Sequence, residues 1–190
     1  IGFNMMNSST IAGSMIWNDK RNGMFQQILV MPFARIEYIA GNIIAIMLMG
    51  LASAALILVA GSPTLVGSAV PTLVGTLYVL YALITGAIFF GSIAVIISTR
   101  LKSSEGFNVI VNSVFLFFSF VSTAFYPTQG VPDALRTAFY ANPLTYIVDV
   151  TRAGVFNQID TFVNIEAGII AAFTAAAFSL ATLSMMRMKI

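Results

Sequence analysis

The 190-residue chain contains no cysteine and no histidine, and only 8% of its residues are charged. The lack of cysteine rules out disulfides, thiolate metal sites and thiol nucleophiles, and leaves nothing to report the redox compartment. Without histidine the commonest general base and the commonest metal ligand are gone, and with them most routes to hydrolytic chemistry. No Gly-x-x-x-x-Gly-Lys-Ser/Thr loop occurs, so the chain has no nucleotide cradle of the usual kind. Charge is missing most completely at residues 38–99, which include no Asp, Glu, Lys or Arg. An ordinary soluble domain is about 25% charged, so a chain this poor in charge cannot cover a water-facing surface, and the bilayer must solvate it instead.

What is present is apolar: 58% of the residues are hydrophobic. Runs bounded by charges or turn residues predict five membrane crossings, Ile1–Ile16, Ile36–Ala60, Pro71–Thr99, Phe107–Phe125 and Ala167–Met186. The expected fold class is therefore all-α, a polytopic helical membrane protein forming one membrane domain over 1–190. The third run would extend about 43 Å as a helix, so it should tilt or kink near Gly75, Gly86 or Gly91. Small residues four apart (Gly41 and Ala45, Ala87 and Gly91, Gly168 and Ala172) predict close helix contacts. The chain opens Ile1-Gly2-Phe3 rather than with methionine, which predicts a preceding segment and a parent with six crossings.

Basic residues set the orientation, because short cytoplasmic loops are rich in Lys and Arg. Lys20, Arg21, Arg35, Arg100, Lys102, Arg187 and Lys189 fall on one side with Asp19, Glu37 and Glu105, a balance of +4. Arg136 and Arg152 fall on the other with Asp133, Asp149, Asp160 and Glu166, a balance of −2. All five crossings then alternate, starting outside and ending with a cytoplasmic carboxyl terminus at the cell (inner) membrane.

Two connections are longer than a turn. The cytoplasmic one, Trp17 to Arg35, carries apolar residues at Met24, Phe25, Ile28, Leu29 and Met31 and Gln26 and Gln27 opposite, the spacing of an amphipathic helix that Pro32 ends. Such a helix either anchors the loop in the headgroups or docks a cytoplasmic partner. The external one, Tyr126 to Glu166, predicts a short helix from Pro132 to Tyr140 and a second beginning at Pro143, with Asp149 and Arg152 close enough on it to pair. Its aromatics, Tyr126, Phe139, Tyr140 and Tyr146, suit the membrane boundary, so the segment reads as short helices re-entering or capping the outer leaflet. On the first crossing Asn4, Asn7, Ser8 and Ser14 lie roughly along one face, either bonding between helices or lining a pathway. Phe115, Phe117, Phe118 and Phe120 make the fourth crossing bulky, toward lipid or toward an amphiphilic substrate.

In order and sidedness these connections resemble those of the permease subunits of type-2 ABC exporters. The resemblance rests on Asp19, Arg21, Gly23, Ile28, Leu29, Pro32 and Arg35, similar to the family's coupling segment, and on Pro127, Pro132, Asn142, Pro143, Tyr146, Asp149 and Arg152, similar to its signature before the last span. It covers nearly the whole chain. Where the family often has threonine then glutamate after the glycine, this chain has Met24 and Phe25, so no acidic contact carries over. The resemblance implies a membrane subunit without catalytic residues or bound metal of its own, coupled through the segment from Asp19 to Arg35 to a separate ATP-binding subunit that holds ATP and Mg. It further implies a second permease chain, the same or different, and a lipid bilayer as partners, and no nucleic acid.

Two rivals are weaker on chemistry. An ion-coupled secondary transporter normally places an ionisable residue or a broken helix in the bilayer, and the central run offers no charge. An intramembrane enzyme needs a nucleophile or paired acids that the spans lack. A non-transporting scaffold or sensor subunit is the remaining alternative. The absence of intramembrane charge favours a hydrophobic or amphiphilic cargo.

Overall fold

The structure is a computed structural model that describes residues 2–22, 72–101, 103–125 and 132–186, with scattered helical positions from Glu37 to Leu56. Among these residues every regular element is a helix: α1 (Gly2–Arg21), α2 (Leu73–Arg100), α3 (Ser104–Phe120), α4 (Asp133–Tyr140), α5 (Pro143–Phe156) and α6 (Thr161–Met186). α2, together with Thr161–Ser184 of α6, is long and apolar enough to cross a membrane.

Local chemistry sets the ends of the helices. Thr72 caps α2 by accepting the Gly75 N–H at 3.1 Å, and Ser103 caps α3 by accepting the Gly106 N–H at 3.0 Å. α2 runs unbroken through Gly75, Gly86 and Gly91, so none of these glycines ends it. α1 continues through Trp17 to Arg21, past the expected end of the first crossing at Ile16. Charges alone do not stop a helix, and no proline or glycine intervenes before Gly23. α6 likewise starts at Thr161, earlier than Ala167.

Cross-contacts give the directions. Met6 Sδ accepts from Ser119 near the end of α3, while a methyl on Gly13 would fall 2.6 Å from the Phe107 ring near its start and 3.0 Å from Ala94 of α2. α1 is therefore antiparallel to α3 and parallel to α2. Tyr78 pairs with Asn164, the Tyr81 hydroxyl donates to the Ala167 carbonyl at 2.6 Å, and Thr174 donates to the Thr85 carbonyl at 3.3 Å, so α6 also runs parallel to α2. One end of the bundle gathers Leu73, Phe120 and Thr161 beneath α4 and α5; the other gathers Arg100 and Ser104.

α2 is the core helix, with 61% of its apolar window buried against 22% for α6. Phe90, fully buried, meets Phe89 and Phe115 edge-on at 5.2 and 5.4 Å, with Phe118 at 6.3 Å. The phenylalanines of α3 thus divide: Phe115 and Phe118 pack inward, whereas Phe117 and Phe120 stay exposed. Leu73, Leu77, Val109, Phe162 and Leu180 are also exposed, an apolar surface that water would not tolerate and lipid covers.

In lipid, burying another leucine drives association only weakly, so close backbone approach matters more. The closest approach is between Gly75 of α2 and Gly154 of α5. A methyl on Gly154 would lie 2.6 Å from the Gly75 carbonyl, and one on Gly75 would lie 2.3 Å from the Gly154 carbonyl. Gly41 and Gly168, expected at contacts from their spacing, face open space, while Ala87 and Gly91 are buried. Gly154→Ala should therefore lower the melting temperature of the purified protein by several degrees, since overpacking costs about 1–3 kcal/mol and each kcal/mol shifts a protein this size by about 2–4 °C. Gly168→Ala should leave it unchanged or slightly raised. Equal melting of the two variants would refute the close crossing.

Candidate functional site

Of the residues expected to form the signature before the last span, Pro132, Asn142, Pro143, Tyr146, Asp149 and Arg152 lie in one structure, a cap made of α4 and α5 across one end of the bundle. Pro132 precedes α4 as its N-cap, and Pro143 is the first residue of α5, where a missing N–H is harmless. Between them Asn142 is 4% exposed and serves two helices. Its side-chain oxygen accepts the Leu144 N–H at 2.9 Å, capping α5, and its NH2 donates to the Phe118 carbonyl at 2.7 Å and to the Val121 carbonyl. Those carbonyls belong to the last turn of α3, which has no further helical donors of its own. One amide closes the start of α5 and the end of α3 together.

Tyr146 is buried, stacks on Phe173 of α6 at 6.4 Å, and donates its hydroxyl to the Tyr140 carbonyl at the end of α4. Burial, with the Glu166 carboxylate nearby, pushes its phenol up and keeps it a donor. Phe139 is buried too, so of the described boundary aromatics only Tyr140 is exposed. The two buried rings are core residues rather than interface anchors.

Asp149 and Arg152 form the expected ion pair at 3.1 Å, and both reach back to Thr123 in the turn after α3. The Thr123 hydroxyl donates to the Asp149 carboxylate at 2.9 Å, and the Arg152 guanidinium donates to the Thr123 carbonyl at 3.0 Å. At the far end of α5, Asn157 adopts φ 56°, and its carboxamide oxygen accepts from the Thr72 N–H at 2.8 Å and the Thr72 hydroxyl at 2.7 Å. The cap is thereby tied to α2, α3 and α6. Pro127 lies outside the described residues.

The polar residues of α1 do not share one environment. Ser8 is buried, Ser14 is half-buried and donates to the Ile11 carbonyl of its own helix at 2.7 Å, and Asn7 is exposed. Asn7 lines a groove of about 270 Å³ between α1 and α3 with Met6, Asn112, Ser113, Phe115 and Leu116. Asn112 and Ser113 were not singled out from sequence, although an Asn-Ser pair inside an apolar run was a readable signal. Thr123, Thr72 and Asn157 carried no such signal. The side chain of Asn4 is outside the described residues. So are Gly23, Met24, Phe25, Ile28, Leu29, Pro32 and Arg35, expected to form the coupling segment; Asp19 and Arg21 are helical, with their side chains not described. Among the described residues no group of three or more acids is placed to hold a metal ion.

A helical bundle with lipid-facing apolar walls, a polar groove and a capped end defines a helical membrane protein. The family model for ABC-2 type transporters matches residues 1–156, which takes in α1 to α5, and the chain belongs to that family as a permease subunit of a type-2 ABC transporter. No curated protein matches the chain. Members of the family are transport permeases that are not themselves catalytic, and they normally pair with an ATP-binding subunit.

Two measurements test the cap. Replacing Asn142 by Ala removes the N-cap and orphans two carbonyls, a loss of about 2–4 kcal/mol. Asn142→Asp keeps an equally good N-cap but turns a carboxylate on those carbonyls, so it should melt below the Ala variant; if Asp behaves like wild type, the link to α3 is wrong. For Asp149, burial pushes the carboxyl above the usual carboxylate range, and the Thr123 hydroxyl and Arg152 draw it back only in part. Because its folded pKa is raised, its contribution to stability is full below the ordinary carboxylate pKa and is lost as pH rises through the folded value. Asp149→Asn should therefore flatten the fall in melting temperature as pH rises above the ordinary carboxylate range. An unchanged slope would contradict the assignment.

Proposed function

We propose that the chain is the membrane half of an ATP-driven exporter, in which two permease chains, alike or different, enclose the pathway and separate ATP-binding subunits drive it. In this reading the Arg100 end of the bundle is cytoplasmic and the α4–α5 cap external. Five crossings alternate, and the carboxyl terminus returns to the cytoplasm at a cell membrane. The helix directions support it: α1, α2 and α6 are parallel and α3 opposed, as alternation through a crossing between α1 and α2 requires. ATP and Mg belong to the partner.

Docking falls to the segment from Asp19 to Arg35, with Gly23, Met24, Phe25, Ile28 and Leu29 as the contact face and Asp19, Arg21, Pro32 and Arg35 at its ends. The observation that carries this reading is the unbroken α1, which runs from the polar groove at Asn7 to Arg21, where the docking segment begins. The two points are about 21 Å apart along the axis at 1.5 Å per residue. A helix transmits displacement over that distance without bending, so a push at its end reaches the groove. The groove offers Asn7, Asn112 and Ser113 beside Met6, Phe115 and Leu116, a lining suited to an amphiphile.

Phe25→Asp puts a charge in the apolar contact face. In the full complex it should abolish co-purification of the ATP-binding subunit, with membrane insertion preserved. Intact co-purification and coupled ATP turnover would overturn the docking assignment.

A further inference from the structure

The fastenings of α5 differ in kind. Toward α2 it lies backbone against backbone at Gly75 and Gly154, and toward the end of α3 it is pinned by the buried Asn142 amide. Neither has a side chain free to swing into water. The third fastening, to residues 121–125, is made by Asp149 and Arg152 on Thr123, and their side chains are 23% and 49% exposed. Water already reaches this clasp and offers both charged groups equivalent partners.

What the clasp covers is polar. Ser122 and Thr123 are 0% and 3% exposed. Thr145, one helical turn before Asp149 and on the same face of α5, is 2% exposed, and its hydroxyl has no hydrogen-bond partner among the described residues. A buried hydroxyl without a partner is a cost that exists only while water is excluded. The closed arrangement therefore carries a penalty that opening removes.

We propose that residues 121–125 form a strap, clasped to α5 by Asp149 and Arg152, that swings off about Asn142 during the transport cycle while α5 stays fixed to α2. Opening admits water to Ser122 and Thr145 and leaves the cap end of α3 held by Asn142 alone; α3 also contributes Asn112 and Ser113 to the groove. The groups facing Asp149 are Arg152 on its own helix and Thr123 from the strap, with Glu166 of α6 an electrostatic neighbour. The inference rests on the ATP-driven reading above and adds the moving part at the external face.

The chain has no cysteine, so an introduced thiol is unique on it. Ser122→Cys and, separately, Thr145→Cys are reconstituted in liposomes with the ATP-binding subunit, and labelling by a membrane-impermeant maleimide from the cap side is timed. Ala153→Cys, buried on the fixed joint, is the control. The Ser122→Cys thiol on the strap and the Thr145→Cys thiol on α5 should both label slowly at rest and about tenfold faster during ATP turnover, as local opening implies, with the Ala153→Cys thiol protected throughout. Arg152→Gln should speed labelling of both thiols without ATP. The inference fails if these two thiols label equally with and without ATP while hydrolysis proceeds, or if the control opens alongside them. Should no ATP-binding subunit associate, the transport reading fails first; the Arg152→Gln arm then decides the clasp alone, and slow labelling there overturns it.

Discussion

At the end of α3 the last carbonyls have no helical donors, and at the start of α5 the first N–H groups have no acceptors; the amide of Asn142 answers both. Because that side chain is buried, its bonds are not exchanged for water, and the relative placement of the two helices is fixed by a group a few ångströms across. The rest of the cap is built outward from this point. Tyr146 seats α5 on α6, Gly154 seats it on α2, and Asn157 closes the far end on Thr72. Displacing Asn142 would misplace each of these in turn.

Inside a bilayer, lipid tails match leucine, so greasy surface alone does not select one helix arrangement over another. This chain uses two other means. Glycine at the α1–α3 and α2–α5 crossings lets helices approach until dispersion contacts are dense, and hydroxyls near the crossings bond across or back to carbonyls, as Tyr81, Thr174 and Ser119 do. The phenylalanine cluster around Phe90 fills the space these close approaches leave beside them.

Features that depend on a few adjacent residues were legible in the sequence. Pro132 and Pro143 announced two short helices, and the spacing of Asp149 and Arg152 announced their pair, because proline geometry and helical spacing act locally. What they bind could not be read: the carbonyls of Phe118 and Val121 and the whole of Thr123 are reached only after the chain has turned back. The spacing of small residues was a partial guide: Ala87 and Gly91 are buried, Gly41 and Gly168 meet nothing among the described residues, and the close pair Gly75 and Gly154 lies far apart in the chain. α1 runs past the expected end at Ile16 because Lys20 and Arg21 are good helix formers and neither proline nor glycine interrupts residues 17–21. The docking face expected between Gly23 and Arg35 lies outside the described residues, so its reading rests on the sequence pattern and the resemblance.

The left-handed turn at Asn157 lets the chain leave α5 and enter α6 within four residues, so the seat for Gly75 comes from a segment translated some eighty residues after it. During synthesis the Gly75 face of α2 therefore stays uncovered until the cap has been made. The bundle closes from its carboxyl-terminal side, and a nascent chain interrupted before residue 157 exposes a bare glycine crossing to whatever quality control surveys the membrane.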